Sequence, residues 1–241
     1  MAFDYRGFGL SDGRRRQYIS VPDQIKDWQR AIGWLRSHEH VDAERIGLWG
    51  MSFAGGHVLH LAHSDPIIRA VVAQVPMVDL VLSNNLGSYY RGEADTNALI
   101  AQVSAHMKSR WFSKTTQMLK VAPDGKQGPA MLGAKEATIY PKMAGPSWRN
   151  ELHPDSLIFG KMDENCPALL TDDLSTPMLV QMGKNDKIVS NEAIVNFARR
   201  CGPIAQLTTY EADHFTMLRQ TKQRKAAIDE AIRHYKEYLI L

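Results

Sequence analysis

"RIGLWGMSFAGGHVLHLA", Arg45 to Ala62, decides the reading of this chain. A short apolar run ending at Gly50 has the look of a buried strand. Ser52 follows two positions on, small residues come next, and Val58, Leu59 and Leu61 then begin an apolar helix-like pattern to about His63. A serine on a sharp strand-to-helix turn has its oxygen exposed and points at the positive end of the following helix, where backbone N–H groups can stabilise a developing oxyanion. Gly50 and Ala54 keep bulk away from Ser52. The usual form of such a turn is G-x-S-x-G, and here the second glycine is Ala54, with Gly55 and Gly56 behind it. The bland alternative is a glycine-containing turn with an incidental serine.

A serine hydroxyl is a poor nucleophile at neutral pH, so it needs a base and the base needs an orienting acid. Asp186 follows the apolar run "MLVQMG" in "GKNDKIV", and His214 follows "QLTTYE" in "YEADHFTM". Each alone is weak, since a loop Asp is usually solvated and a lone His is usually structural. Together they place Ser52, Asp186 and His214 each at the end of an expected strand, in the order serine, acid, histidine. Asp163 and Glu164 in "KMDENCP" are an alternative acid, but no strand leads into them. Asp213 adjoins His214 and points its side chain elsewhere.

Outward from the serine, the pattern predicts strands at Arg45–Gly50, Ile67–Pro76, Thr176–Asp186 and Ala205–Glu211. It predicts helices from Pro22 to Ser37, from Ser190 (as cap) to about Arg200 with Gly202 as stop, and from Gln223 to Leu239. The last would bury Ala227, Ile228, Ile232, Tyr235 and Leu239 on one face. "MAFDYRGFGLSDG" reads as a strand end running into a glycine-rich turn. Apolar strands alternating with helices imply a mostly parallel sheet covered on both faces. Residues 77–174 break that rhythm and read as a cap, with an amphipathic stretch from Leu99 to Leu119 and with Trp111, Phe112, Trp148 and Phe159 to bury. Met107, Met118, Met131 and Met143 would fill an adaptable apolar pocket there, one that could also accept an acyl chain. The expected organisation is one α/β domain over 1–241 with a cap at 77–174.

The chain resembles an α/β-hydrolase over essentially its whole length. "FDYRGFGLSDG" is similar to the segment after that fold's fourth strand, "VDAERIGLWGMSFAGG" to its nucleophile elbow, "GKNDKIV" to its acid loop and "ADHFTM" to its histidine loop. The "Q-V-P" after the second strand and "SWRNEL" in the insertion resemble a subgroup. It contains hydrolases of the dienelactone-hydrolase and acyl-peptidase type and fungal polyketide transferases or thiohydrolases. The resemblance implies that Ser52 attacks an acyl carbon, His214 takes its proton, Asp186 holds the imidazole, and the Phe53 N–H donates to the oxyanion. Water or an acceptor alcohol would then release the acyl group. Met51 and Trp148 are the substrate-pocket candidates. The expected substrate is a small carboxylic ester or thioester.

The same resemblance implies a second oxyanion donor on a loop after a third strand, and further strands before Met1. Three accounts are open: a start at an internal Met, a fragment, or residues 1–4 pairing with another chain's edge in a homo-oligomer. The first is favoured, with the chain as given poorly active. A catalytically impaired binding or scaffold protein is therefore the competing class. A haloalkane or epoxide hydrolase is disfavoured because those use Asp at the place of Ser52. A peptidase acting on an N-terminal dipeptide would want an acidic pair for the amine, and none is placed.

Composition narrows the rest. At 241 residues, 44% hydrophobic and 23% charged, the chain can bury a sizeable core. A net charge of +3 and short basic clusters at Arg14–Arg16 and Lys222–Lys225 point away from nucleic acid, and both clusters read as solvated surface. Two distant cysteines, Cys166 and Cys201, fit a reducing, cytoplasmic setting. No run is long enough to span a bilayer. No cofactor or metal is expected: His57, His60 and His63 share helical spacing, but a zinc site would need a further ligand.

Overall fold

The computed structural model describes residues 1–125, 128–161 and 164–240. They divide into two compact units, Met1–Ala31 with Asn85–Glu164, and Ile32–Asn84 with Asn165–Leu241.

The second unit is built on a four-stranded, all-parallel sheet in the order β1-β2-β3-β4, comprising β1 (Ile46–Met51), β2 (Ile68–Gln74), β3 (Met178–Gly183) and β4 (Ala205–Tyr210). All four strands match the stretches that the sequence marks as strands. β2 and β3 are buried along nearly their whole length, as strands covered on both faces must be. In chain order α1 (Val21–Arg36) precedes β1, α2 (Phe53–Ser64) follows it, and α3 (Leu80–Arg91) comes after β2. α2 packs on β1 and β2. Ser190 caps the helix Asn191–Cys201 by accepting the Ala193 N–H at 3.2 Å, and Gly202 at φ 65° ends it, as the sequence requires.

The C-terminal helix Lys222–Leu239 corrects the sequence reading. Its buried stripe is Ala227, Ala231 and His234, and Ile228 and Ile232 are exposed. Close packing is the reason. Small alanines let the helix settle against Val72 and Leu179, and the Tyr235 hydroxyl donates to the Leu48 carbonyl at 2.7 Å. Gly47 completes the fit, since a Cβ there would lie 2.7 Å from the Tyr235 ring. Strand alternation sets Gly47, Trp49 and Val72 toward this helix, and Leu48 and Gly50 toward α2 on the other face.

The first unit has its own core of Leu99, Leu119 and Leu152, joined by Ile19, Val103, Val121 and Met131. Helix α4 (Glu93–Ser109) supplies two of these residues. The amphipathic stretch expected to reach Leu119 stops as helix at Ser109, and Leu119 instead bridges Leu152 through two backbone bonds of 2.8–2.9 Å. Trp111 and Phe112, expected to be buried, are 77% and 89% exposed because a turn after Ser109 carries them off the helix's apolar face. Phe159 is also exposed, beneath the Arg110 guanidinium. Trp148 is half-buried beside Tyr140.

Residues 1–5 form no strand, contrary to the sequence reading. Their polar groups are spent on the following turn: Asp4 accepts the Leu10 N–H at 3.0 Å and the Ser11 hydroxyl at 2.6 Å. Arg6 is held by Asp27 and Asp23.

Candidate active site

Ser52 sits between β1 and α2 with φ 56° and ψ −121°. A left-handed backbone at a non-glycine residue is costly and persists only where the surroundings enforce it. Here they do. The Ser52 N–H donates to the Gln74 carbonyl at 2.9 Å, and the Ser52 carbonyl accepts from the Met77 N–H at 2.9 Å and the Gly56 N–H at 3.3 Å. The peptide that carries the Phe53 N–H is thus fixed through its carbonyl end. Phe53 is the first residue of α2, so its N–H has no carbonyl partner within the helix.

The small residues around the serine are there for backbone contact. A Cβ on Gly50 would meet the Ala54 carbonyl oxygen at 2.3 Å, and one on Gly56 would meet the Met77 carbonyl oxygen at 2.5 Å. The departure at Ala54 is therefore accommodated, with the close approach to the Met77 backbone made one turn edge later, at Gly56.

Asp186 and His214 come together as a buried pair, 8% and 4% exposed, with His214 Nδ1 2.7 Å from Asp186 Oδ2. The other carboxylate oxygen accepts the N–H groups of Ile188 at 2.8 Å and Val189 at 3.1 Å, which fixes its orientation. The pair leaves the imidazole's Nε2 as its remaining functional nitrogen. The Phe215 ring packs edge-on to the imidazole at 5.3 Å. Ser52, Asp186 and His214 all belong to the second unit, after the carboxyl ends of β1, β3 and β4. Among the described residues, no hydrogen bond joins Ser52 Oγ to His214.

The remaining sequence candidates separate. Met51 is the last residue of β1 and half-buried, whereas Trp148 belongs to the first unit and lines a cavity there with Met118. Met131 joins the first unit's apolar cluster, and Met107 is exposed. Glu164 pairs with Lys161 at 2.8 Å, and Asp163 lies outside the described residues. Asp213 turns away from the imidazole to accept the Thr216 N–H at 2.6 Å.

Sequence reasoning missed Asn165, which is 1% exposed. Its Oδ1 lies 3.1 Å from Nδ1 of the fully buried His57, and its Nδ2 donates to the Phe53 carbonyl at 3.0 Å. The His57 ring stacks edge-on to Phe53 at 4.8 Å. Burial lowers the His57 pKa to about 4, so the imidazole is neutral at pH 7. His57 is accordingly a support beneath the serine turn, and a chain with "DENCP" a hundred residues away offers no local signal that Asn165 reaches it.

His106, His153 and Asp155 in the first unit place one donor atom each within 4.8 Å of one another. The Asp155 carboxylate, however, already contacts Arg15 and accepts from His106 at 2.8 Å, with Arg110 at 3.7 Å. A cation would compete with two guanidinium groups for one carboxylate. The donor set suits an ion-pair network better than a metal.

Comparison with known proteins agrees with this architecture. The α/β hydrolase GrgF from Penicillium superposes with a TM-score of 0.76 at 18% identity, covering 99% of this chain and 79% of GrgF. The thiohydrolase aneE of Aspergillus aculeatus is 27% identical over 210 residues, 84% of this chain and 65% of aneE. The quorum-quenching protein AidA of Acinetobacter baumannii is 44% identical over 79 residues, a third of this chain and 26% of AidA. The matched stretches thus span from about a quarter to just under two thirds of these curated relatives. No helix among the described residues is long and apolar enough to cross a membrane. The family model described as X-Pro dipeptidyl-peptidase (S15 family) matches residues 1–216. With the parallel sheet, the serine turn and that match over most of its length, the chain is an α/β-hydrolase belonging to the S15 X-Pro dipeptidyl-peptidase family.

Proposed function

We propose that this chain carries the catalytic machinery of a serine hydrolase that cleaves carboxylic ester or thioester bonds through an acyl-enzyme on Ser52, with acyl transfer to an alcohol as a variant. The observation that carries the reading is the pairing of two costly features in one unit. One is a serine held at φ 56° at the head of a helix, and the other is a buried histidine–carboxylate pair at 2.7 Å. A buried polar pair and a strained serine are each hard to account for as packing.

In this reading His214 Nε2 accepts the Ser52 proton as the oxygen attacks the acyl carbon. Asp186 holds the proton on Nδ1 and stabilises the imidazolium that forms. The oxyanion is received by the Phe53 N–H, helped by the positive end of α2. His214 then returns its proton to the leaving alcohol or thiol, and water or an acceptor alcohol repeats the sequence in reverse. The Ser52–His214 hydrogen bond would form with substrate in place, since catalytic bonds often tighten only in the complex. The relative named a thiohydrolase supports the thioester branch. The free cysteines Cys166 and Cys201 support a reducing, cytoplasmic setting.

The family match favours one second reading, cleavage of an X-Pro dipeptide from a peptide amine. A fluorophosphonate probe tests the nucleophile. Stoichiometric labelling of wild-type chain that disappears in Ser52→Ala supports it, and a folded chain that takes no label points to the binding-protein alternative. Parallel rates on p-nitrophenyl esters, acyl thioesters and X-Pro anilides then separate the substrate classes.

A further inference from the structure

A cavity of the first unit, about 870 Å³, has a wall built from the arginine run that the sequence suggested was plain surface. Arg14, Arg15 and Arg16 line it together with Arg149, against the single carboxylate of Glu151. Arg15 is already neutralised by Asp155 and lies over the Tyr18 ring at 4.1 Å. Arg14 and Arg149 form no ion pair among the described residues. An excess of about two positive charges therefore faces the cavity.

This wall is rigid. Arg16 donates to the carbonyls of Ser11 at 2.6 Å and Gly9 at 2.8 Å, which ties the run back onto its own turn. Gln17, 4% exposed and at φ 57°, donates its N–H to Gly7 and accepts the His153 N–H at 2.7 Å. Burial keeps the His153 pKa below its ordinary value, so this histidine adds no charge near pH 7. The backbone that carries Arg14 is thus held in place, and the Arg14 and Arg149 guanidinium groups reach the cavity from exposed side chains. Trp148 supplies a flat apolar face on the same cavity.

Guanidinium forks match phosphate oxygens in pairs, and a phosphate monoester carries about −1.5 to −2 charge in one group at pH 7. That is the charge the cavity calls for, since Arg14, Arg16 and Arg149 form no ion pair among the described residues and Glu151 offsets one of the three. The volume is in the range of a whole organic ligand, well beyond a lone phosphate. We propose that this cavity is a binding site for an organic phosphate, with its phosphate or diphosphate group at Arg14 and Arg149 and a flat ring against Trp148. The site goes beyond the serine chemistry and does not depend on it.

Isothermal titration at low salt tests the site, using the full chain and its Ser52→Ala variant. The probes are ADP, pyrophosphate, adenosine and citrate. ADP is expected to bind both proteins alike and more tightly than pyrophosphate, with adenosine weakest. Replacing both arginines (Arg14→Ala with Arg149→Ala) should weaken ADP by about tenfold or more, and Glu151→Gln should tighten it. The three side chains are not buried, and an unchanged melting curve confirms that the variants fold. The proposal is overturned if neither ADP nor pyrophosphate binds, or if ADP binding survives the double arginine change. Pyrophosphate binding as tightly as ADP removes the ring contact, and citrate binding more tightly than pyrophosphate removes the phosphate assignment.

Discussion

Asn165→Ala tests whether the serine turn is supported from beneath as the contacts indicate. The side chain is 1% exposed and holds two groups: Nδ1 of His57 at 3.1 Å and the Phe53 carbonyl in the first turn of α2 at 3.0 Å. Truncation to alanine removes the partner of His57 Nδ1 and one of the bonds to the Phe53 carbonyl, which keeps its i+4 acceptor role within α2, and losing a bond to a buried polar group costs about 1–3 kcal/mol. A loss of about 3 kcal/mol follows, near the upper range for a single substitution. For a chain of this size each kcal/mol moves the midpoint by about 2–4 °C, so thermal unfolding followed by circular dichroism should shift down by about 6–12 °C. Asn165→Asp separates the two contacts. It keeps an acceptor for His57 and puts an oxygen where the amide donated to Phe53, so its cost combines the lost Phe53 bond with the burial of a carboxylate beside His57. Fluorophosphonate labelling should slow in both variants, because the peptides that follow Ser52 lose an anchor. A midpoint within 2 °C of wild type for Asn165→Ala would refute the supporting role.

His57 should give the protein an acid-sensitive stability. Its folded pKa, lowered to about 4 by burial, lies below the unfolded 6.5, so the unfolded chain binds the extra proton first. Stability is then full above pH 6.5 and declines by about 3 kcal/mol on the way down to pH 4, a slope that denaturant titrations should find reduced in His57→Gln. Asp186→Asn should leave the loop intact, because the side-chain Oδ1 still accepts the Ile188 and Val189 N–H groups, while cutting ester hydrolysis by about 10³–10⁴ as the imidazole loses its tautomer control; a loss under tenfold would sink the assigned role. Gly56→Ala sets a Cβ 2.5 Å from the Met77 carbonyl oxygen and should cost about 1–3 kcal/mol in denaturant unfolding, with no cost counting against the close approach.

The strands of the second unit, and the places of Asp186 and His214 beyond two of them, were legible because they depend on local pattern. β1 to β3 are apolar runs bounded by turns, β4 (AQLTTY) is marked by its Thr residues and closing Tyr, and Asp186 and His214 follow β3 and β4 within four residues. What escaped depends on contacts that local pattern does not encode. The face of the last helix was misjudged because Ile228 and Ile232 look more buried than Ala227 and Ala231, whereas close approach to the sheet selects the smaller side chains. Trp111 and Phe112 were expected inside because their size suggests it, yet the helix ends two residues too early to turn them inward. Asn165 and the arginine wall are long-range matters: one reaches across more than a hundred residues, and the other is fixed by Asp155 and His153. The opening residues read as strand on composition alone, and the Asp4 carboxylate commits them to a turn.

The β2–β3 pairing also has a consequence for biosynthesis. β2 ends at Gln74 and its neighbour β3 begins at Met178, so about a hundred residues must leave the ribosome before that side of the sheet can form. At about 5–20 residues per second, β2 waits on the order of 5–20 s with its backbone groups open to other nascent chains. Translation arrested just before residue 178 should therefore yield chains that recruit holdase chaperones, and full-length chains in which β3 and β4 have cleared the ribosome should release them.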